Sequence, residues 1–161
     1  VPVRSSDHDP LVAELVVPGF VDADLSTKVF APFGTVRDGS LAVFRTVVTN
    51  LGGGQAYGAT VDLTLDAHPD QLLRVGGTGW TCGAPSGPAG EVTVRCSSND
   101  TLAPAQISLL KVELIAWRNG ALGTLGVQAE ASSRSNDPVP ANDADGAMVP
   151  VVGRPNWGGR R

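Results

Sequence analysis

The chain has 161 residues, the size of one domain whose core removes about two-thirds of the unfolded surface from water. Its net charge of −4 is mild and no apolar run reaches the 18 or so residues of a membrane span, so we expect no nucleic acid partner and no membrane span. The chain has 20 Gly and 12 Pro but only two Lys and four Glu, and this balance favours strands and turns over helices.

The first 21 residues are predicted to form an N-terminal arm. The arm carries an apolar, strand-like run between Pro10 and Pro18. Its candidate partner-binding residues are Leu11, Val12, Leu15, Val16 and Val17. One interpretation is an extra edge strand of the chain's own fold. The other is an extended arm that pairs with another protein by strand addition, because a free apolar strand aggregates unless something covers it.

Residues 22–152 contain turn signals at the short spacing that is typical of a β-sandwich. The strands predicted in this region, apart from those around the cysteines, are 22–30, 40–49, 59–66, 72–75, 107–117, 124–132 and 143–152. Alternation is clearest in 59–66, where Val61, Leu63 and Leu65 form the predicted buried face. The apolar residues of 107–117 do not share one parity, which predicts a bulge or burial on both faces there.

The chain has two cysteines, on either side of a Gly/Pro-rich link at 83–90. Cys82 and Cys96 each lie in or beside a run with strand chemistry, so we expect them to form a disulfide that joins two β-segments. The loop of about 15 residues predicts a local link worth roughly 3 kcal/mol, and not a bridge between sheets. A disulfide also indicates an oxidising, extracellular setting, and therefore a secreted protein.

The last nine residues, 153–161, are predicted to be a flexible basic tail. The alternative is a small docking segment with Trp157 as its anchor. Trp80 and Trp117 lie in strand contexts, and we expect both to be part of the core.

These patterns predict about seven or eight strands and no convincing helix. The fold class that follows is all-β, an antiparallel β-sandwich with one disulfide.

The order of several short motifs resembles that of a known family. The motifs are ADLSTK at 23–28, FRTVVTNLG at 44–52, ATVDLTL at 59–65, WTC at 80–82, VRC at 94–96, LAPA at 102–105, NDP at 136–138 and ND at 142–143. Together they make the chain similar to the conserved repeat domain of bacterial surface proteins, over about four-fifths of its length. The resemblance implies an immunoglobulin-like sandwich that acts as an extracellular structural or interaction module, without catalytic residues. This chain departs from the family in having one copy, a long arm and a short basic tail.

Neither histidine predicts a catalytic or metal site of the usual kind. His8 lies in the arm and His68 in a turn before Pro69, and neither has a second histidine at ligand spacing. No nucleophile elbow or phosphate-binding loop occurs. We therefore expect no enzyme activity and no cofactor.

One acidic cluster could attract a cation. Its members are Asp137, Asn142, Asp143 and Asp145. Calcium prefers oxygen-rich loops of this kind, although Asn and Asp also simply make turns. Weak calcium binding is thus an open alternative, and no metal site is predicted.

Two classes of function are compatible with the sequence. The first is a secreted adaptor that joins other proteins in an extracellular assembly, through its arm or an open sheet edge. By fold-level analogy, small secreted sandwiches do this in bacterial assemblies, including the umbrella toxin particles of actinobacteria. The alternative is a cell-surface module that recognises a ligand or glycan through its loops. We favour the adaptor.

Overall fold

The structure, a computed structural model, describes residues 21–117 and 123–153. Ten strands form in this part of the chain. Their bounds are β1 Leu25–Phe30, β2 Val36–Arg37, β3 Leu41–Asn50, β4 Thr60–Asp66, β5 Leu72–Gly76, β6 Trp80–Cys82, β7 Val92–Ser98, β8 Ile107–Ile115, β9 Thr124–Ser132 and β10 Ala144–Val152. The helical residues of the same ranges are two 3₁₀ turns, Pro69–Gln71 and Pro140–Asn142.

The strands form two sheets. One sheet has four strands in the order β1-β3-β8-β5, and the other has six in the order β2-β10-β9-β4-β7-β6. All pairings are antiparallel except the short parallel pair of β2 and β10. The predicted all-β, immunoglobulin-like sandwich is therefore confirmed. No helix among the described residues has the length and apolar character needed to cross a membrane.

The core lies between the sheets and follows from strict alternation along the strands. Each central strand turns every second side chain inward, and the predicted buried face of β4 is confirmed. The largest fully buried side chains are Leu25, Phe44, Leu63, Leu65, Leu102, Leu110, Leu114 and Leu125. Burial of this apolar surface is the main force that holds the two sheets together.

The described residues form ten strands, slightly more than the expected seven or eight. The element that the sequence did not predict is β2, which has two residues. A strand this short leaves no periodic pattern in a sequence, since its formation depends on the neighbour with which it pairs.

The bulge or two-sided burial predicted for residues 107–117 is absent from β8. Strands β3 and β8 pair without a shift from the Thr49–Ile107 pair to the Leu41–Ile115 pair. The apolar residues occupy both odd and even positions because Leu109 faces outward and is exposed, while Leu110 faces inward and packs in the core. The observed irregularity lies instead in β5, between Leu72 and Arg74.

Trp117 corrects a second expectation. It lies just beyond the end of β8 with 40% of its surface exposed, so it is not part of the core. Trp80, in contrast, is buried as predicted, and its indole Nε1 donates a 2.6 Å hydrogen bond to Ser108 Oγ. This bond joins β6 in one sheet to β8 in the other.

Candidate interaction surfaces

β5 and β6 are edge strands of opposite sheets, and they lie on the same side of the sandwich, which we call the open side. Cys82 and Cys96 form the disulfide of this side, between directly paired residues of β6 and β7. The bond therefore fastens the three-residue edge strand β6 to its own sheet. It is the local link that the short loop predicted.

A small groove of about 160 Å³ lies on the open side. Its lining residues are Leu72, Leu73, Arg74, Val75, Cys82, Gly83, Pro85 and Val94. One of these residues, Leu73, has 58% of its surface exposed. In the described chain, β5 pairs only with β8, and no side chain or loop hydrogen-bonds to the backbone of Leu73 or Val75.

The opposite side, which we call the closed side, is built from β1 packed beside β9 and β10. Here aspartate carboxylates accept hydrogen bonds from backbone N–H groups on the outer side of β1. Asp137 Oδ2 accepts from the Leu25 N–H at 2.7 Å, and Asp145 Oδ2 accepts from the Val29 N–H at 2.9 Å. These acceptors leave little of this edge free for another strand.

Three members of the acidic cluster, Asp137, Asn142 and Asp145, make structural hydrogen bonds on the closed side. Asn142 donates from Nδ2 to Asp24 Oδ1 at 2.8 Å, and Asp137 Oδ1 accepts from the Val139 N–H at 2.9 Å. Desolvation and the neighbouring Asp137, Asp24 and Glu130 carboxylates raise the pKa of Asp143 to about 6. No group of three or more His, Cys, Asp or Glu side chains in residues 21–117 and 123–153 is arranged to hold a metal ion.

Asn50 is a buried polar residue whose role the sequence did not indicate. Its Oδ1 accepts from the N–H groups of Asp24 and Gly52, and its Nδ2 donates to the carbonyls of Gly54 and Leu102. The side chain thus ties the entry to β1 to the turn after β3 and to the loop before β8. The only signal in the sequence was its position directly after the alternating strand.

The outer face of the four-stranded sheet is apolar and basic, and we call it the basic face. Alternation along β1, β3 and β8 turns outward Phe30, Leu41, Val43, Val47, Ile107, Leu109 and Ile115. In the strands described, this face carries four cations and one anion, namely Lys28, Arg45, Arg74 and Lys111 with Glu113. Arg45 lies directly opposite Lys111, and none of the four cations forms an ion pair in the described part of the chain.

The outer face of the six-stranded sheet is acidic and hydrophilic. A shallow groove of about 700 Å³ runs over β4, β9 and β10, and Asp62, Asp66 and Glu130 are among its lining residues. Arg95 donates to both carboxylate oxygens of Asp62 at 2.6 Å, and these hydrogen bonds lower the pKa of Asp62. No aromatic side chain lines this groove, so the groove itself lacks the stacking platform typical of a glycan site.

His68 has a local structural role. Its Nδ1 accepts from the Asp70 N–H at 3.3 Å, while the His68 N–H donates to Gln71 Oε1 at 2.6 Å. These bonds cap the 3₁₀ turn that precedes β5. The candidate partner-binding residues Leu11, Val12, Leu15, Val16 and Val17 lie outside the described residues, as does His8.

No family model matches the chain, and no curated protein matches it. Solved structures do resemble it. The CARDB domain of the PF1109 protein from Pyrococcus furiosus, crystallised in complex with di-metal ions, aligns with a TM-score of 0.55 and 17% identity over 83% of this chain and 91% of that one. Its solution structure aligns with a TM-score of 0.55 and 16% identity over 82% of this chain and 97% of that one.

A cohesin module from a family 33 glycoside hydrolase of Clostridium perfringens also aligns. Its TM-score is 0.50 and its identity 12%, over 83% of this chain and 99% of that one. At such low identity, these similarities show the fold that the chain shares with these modules, and the fold alone.

Proposed function

We propose that this protein is a non-catalytic, secreted adaptor that joins other proteins in an extracellular assembly, through its N-terminal arm or an open sheet edge. The single observation that carries the proposal is the difference between the two edges of the four-stranded sheet. β1 has carboxylates on its outer N–H groups, whereas β5 has no hydrogen-bonding neighbour on its outer side among the described residues. Protein edges are normally blocked, so an unblocked edge marks a place for a partner strand.

The surroundings of β5 suit strand addition. Backbone groups of an added strand would provide affinity, while alternate side chains would reach the groove lined by Leu73, Val75 and Pro85. The disulfide supports secretion, because such bonds persist in oxidising compartments. The arm residues Leu11, Val12, Leu15, Val16 and Val17 are the second proposed attachment point.

A substitution at Leu73 tests the edge. Leu73→Lys places a charge at the exposed edge and should abolish partner binding with little effect on folding, since Leu73 is largely in solvent. The tagged protein would be isolated from the culture fluid of its source organism and its complexes weighed intact by mass spectrometry. The matched control is Leu51→Lys, which changes an exposed leucine in the turn after β3, outside β5.

A partner in fixed ratio that is lost with Leu73→Lys and retained with Leu51→Lys is the expected result. Loss of the partner only when residues 1–18 are deleted would assign attachment to the arm. A lone monomer in all cases would contradict the adaptor and favour the alternative, a cell-surface module that binds a ligand through its loops.

A further inference from the structure

We propose that the basic face is the docking surface for residues 7–20 of the same chain. The inference does not rest on the adaptor function, because it concerns the isolated protein. Residues 7–20 are the one proposed occupant of this exposed sheet face, and three observations select them.

The first observation is the chemistry of the face. Ile107 and Leu109 are exposed, and beside them Val47 is partly exposed. The like charges of Arg45 and Lys111 face each other across β3 and β8, an arrangement that disfavours pairing unless an anion lies between or above them. A ligand that is both apolar and acidic would therefore be complementary to this face.

The second observation is the composition of residues 7–20. This segment carries three anions, Asp7, Asp9 and Glu14, and has no Lys or Arg. It also contains the apolar run Leu11–Val17 and Phe20. The basic face carries four cations against one anion, so the two surfaces are complementary in charge as well as in apolar character.

The third observation is where the segment is attached. Asp22 and Asp24 accept backbone hydrogen bonds from Gly54 and Leu51, so the described chain begins beside the turn after β3. That turn lies at the end of the basic face where Thr49 pairs with Ile107. Fourteen extended residues span ~46 Å, which exceeds the ~27 Å that separates Ile107 from Ile115 along β8. A short tether of this kind gives an effective concentration in the millimolar range.

Site-specific photo-crosslinking of the full chain tests the proposal. A benzophenone amino acid would replace Ile107 on the basic face, which is 68% exposed, or Met148 on the acidic face, which is 70% exposed. Equal amounts of ¹⁴N- and ¹⁵N-labelled protein would be irradiated, and the joined peptides identified by mass spectrometry. The isotope pattern separates links within a chain from links between chains.

We expect crosslinks from position 107 to residues 7–20 within one chain, and few from position 148. The double variant Arg45→Glu and Lys111→Glu should lower the yield of these crosslinks at least fivefold. Adding Asp9→Lys and Glu14→Lys to it should restore the yield. Equal yields at both positions, no link to residues 7–20, or links only between chains would overturn the proposal. If the charge variants fail to fold, the comparison of positions 107 and 148 in the otherwise unchanged chain still decides it.

Discussion

β1 and β5 are the two edge strands of the same sheet, yet their outer sides differ in chemistry. On the closed side, Asp137 and Asp145 accept hydrogen bonds from β1 across more than a hundred residues of sequence. On the open side, β5 carries a bulge and lies beside the disulfide that fastens β6. One edge is therefore blocked by side chains that are distant in sequence, while the other is shaped by local contacts and has no strand partner on its outer side among the described residues.

The largest expected effect comes from Asn50, which anchors the entry to the closed side. Asn50→Ala removes the partners of four backbone groups and should lower the free energy of unfolding by about 3 kcal/mol or more. Chemical denaturation measures this change. The matched control is Asn99→Ala, because Asn99 is exposed and accepts one hydrogen bond from Thr81. Equal losses in the two variants would contradict the role of Asn50.

Loss of the disulfide tests the open side. Cys82→Ser combined with Cys96→Ser should lower the free energy of unfolding by about 3 kcal/mol, because the unfolded chain regains the freedom of a loop closed over 14 residues. Denaturation with and without a reducing agent provides the measurement. The reductant should destabilise the unchanged protein by a similar amount and leave the double variant unaffected. A stability insensitive to reduction would show that β6 is held by Trp80 and its strand pairing alone.

Removal of one carboxylate tests whether the aspartates block the outer edge of β1. Asp145→Ala leaves the Val29 N–H without its acceptor and should lower the free energy of unfolding by about 1–2 kcal/mol. It should also increase self-association, measured by light scattering, since the β1 edge becomes available. Asp66→Ala is the control, because the Asp66 side chain faces outward on β4 and makes no hydrogen bond with the described residues. Similar association of both variants would argue against a sealed edge.

The smallest expected effect is a dependence of the free energy of unfolding on pH, caused by Asp143. Its pKa of about 6 in the folded protein lies above the ordinary value of 3.8, so the folded state binds the proton more tightly than the unfolded state. The contribution of Asp143 to stability is therefore greatest below pH 3.8 and is lost as the pH rises through about 6. Asp143→Asn should raise the free energy of unfolding at pH 7, where the carboxyl group is ionised, and not at pH 4, where it is protonated in the folded protein.

Denaturation of both proteins at pH 4 and pH 7 measures this difference. An equal effect of Asp143→Asn at the two pH values would show that Asp137, Asp24 and Glu130 do not act on the carboxyl group.

The sequence predicted correctly those features that depend on residues close together in the chain. Val61, Leu63 and Leu65 alternate with polar residues, and they are buried in β4 as the period of two requires. The cysteine pair was also predictable, because the short loop leaves each cysteine one partner on a neighbouring strand. The parity of residues 107–117 misled because Leu109 lies on an exposed apolar face, which no local pattern distinguishes from a buried one.

By itself the sequence determined an all-β sandwich with a local disulfide, since alternation and turn residues act within a few positions of one another. Only the tertiary structure decided which edge is sealed, because Asp137 and Asp145 reach β1 solely through the packing of β9 and β10 beside it. The same holds for the basic face, where Arg45, Lys111 and Ile107 share one surface because β3 and β8 pair in a particular register. Pairing between distant strands sets such surfaces, and it depends on the whole chain.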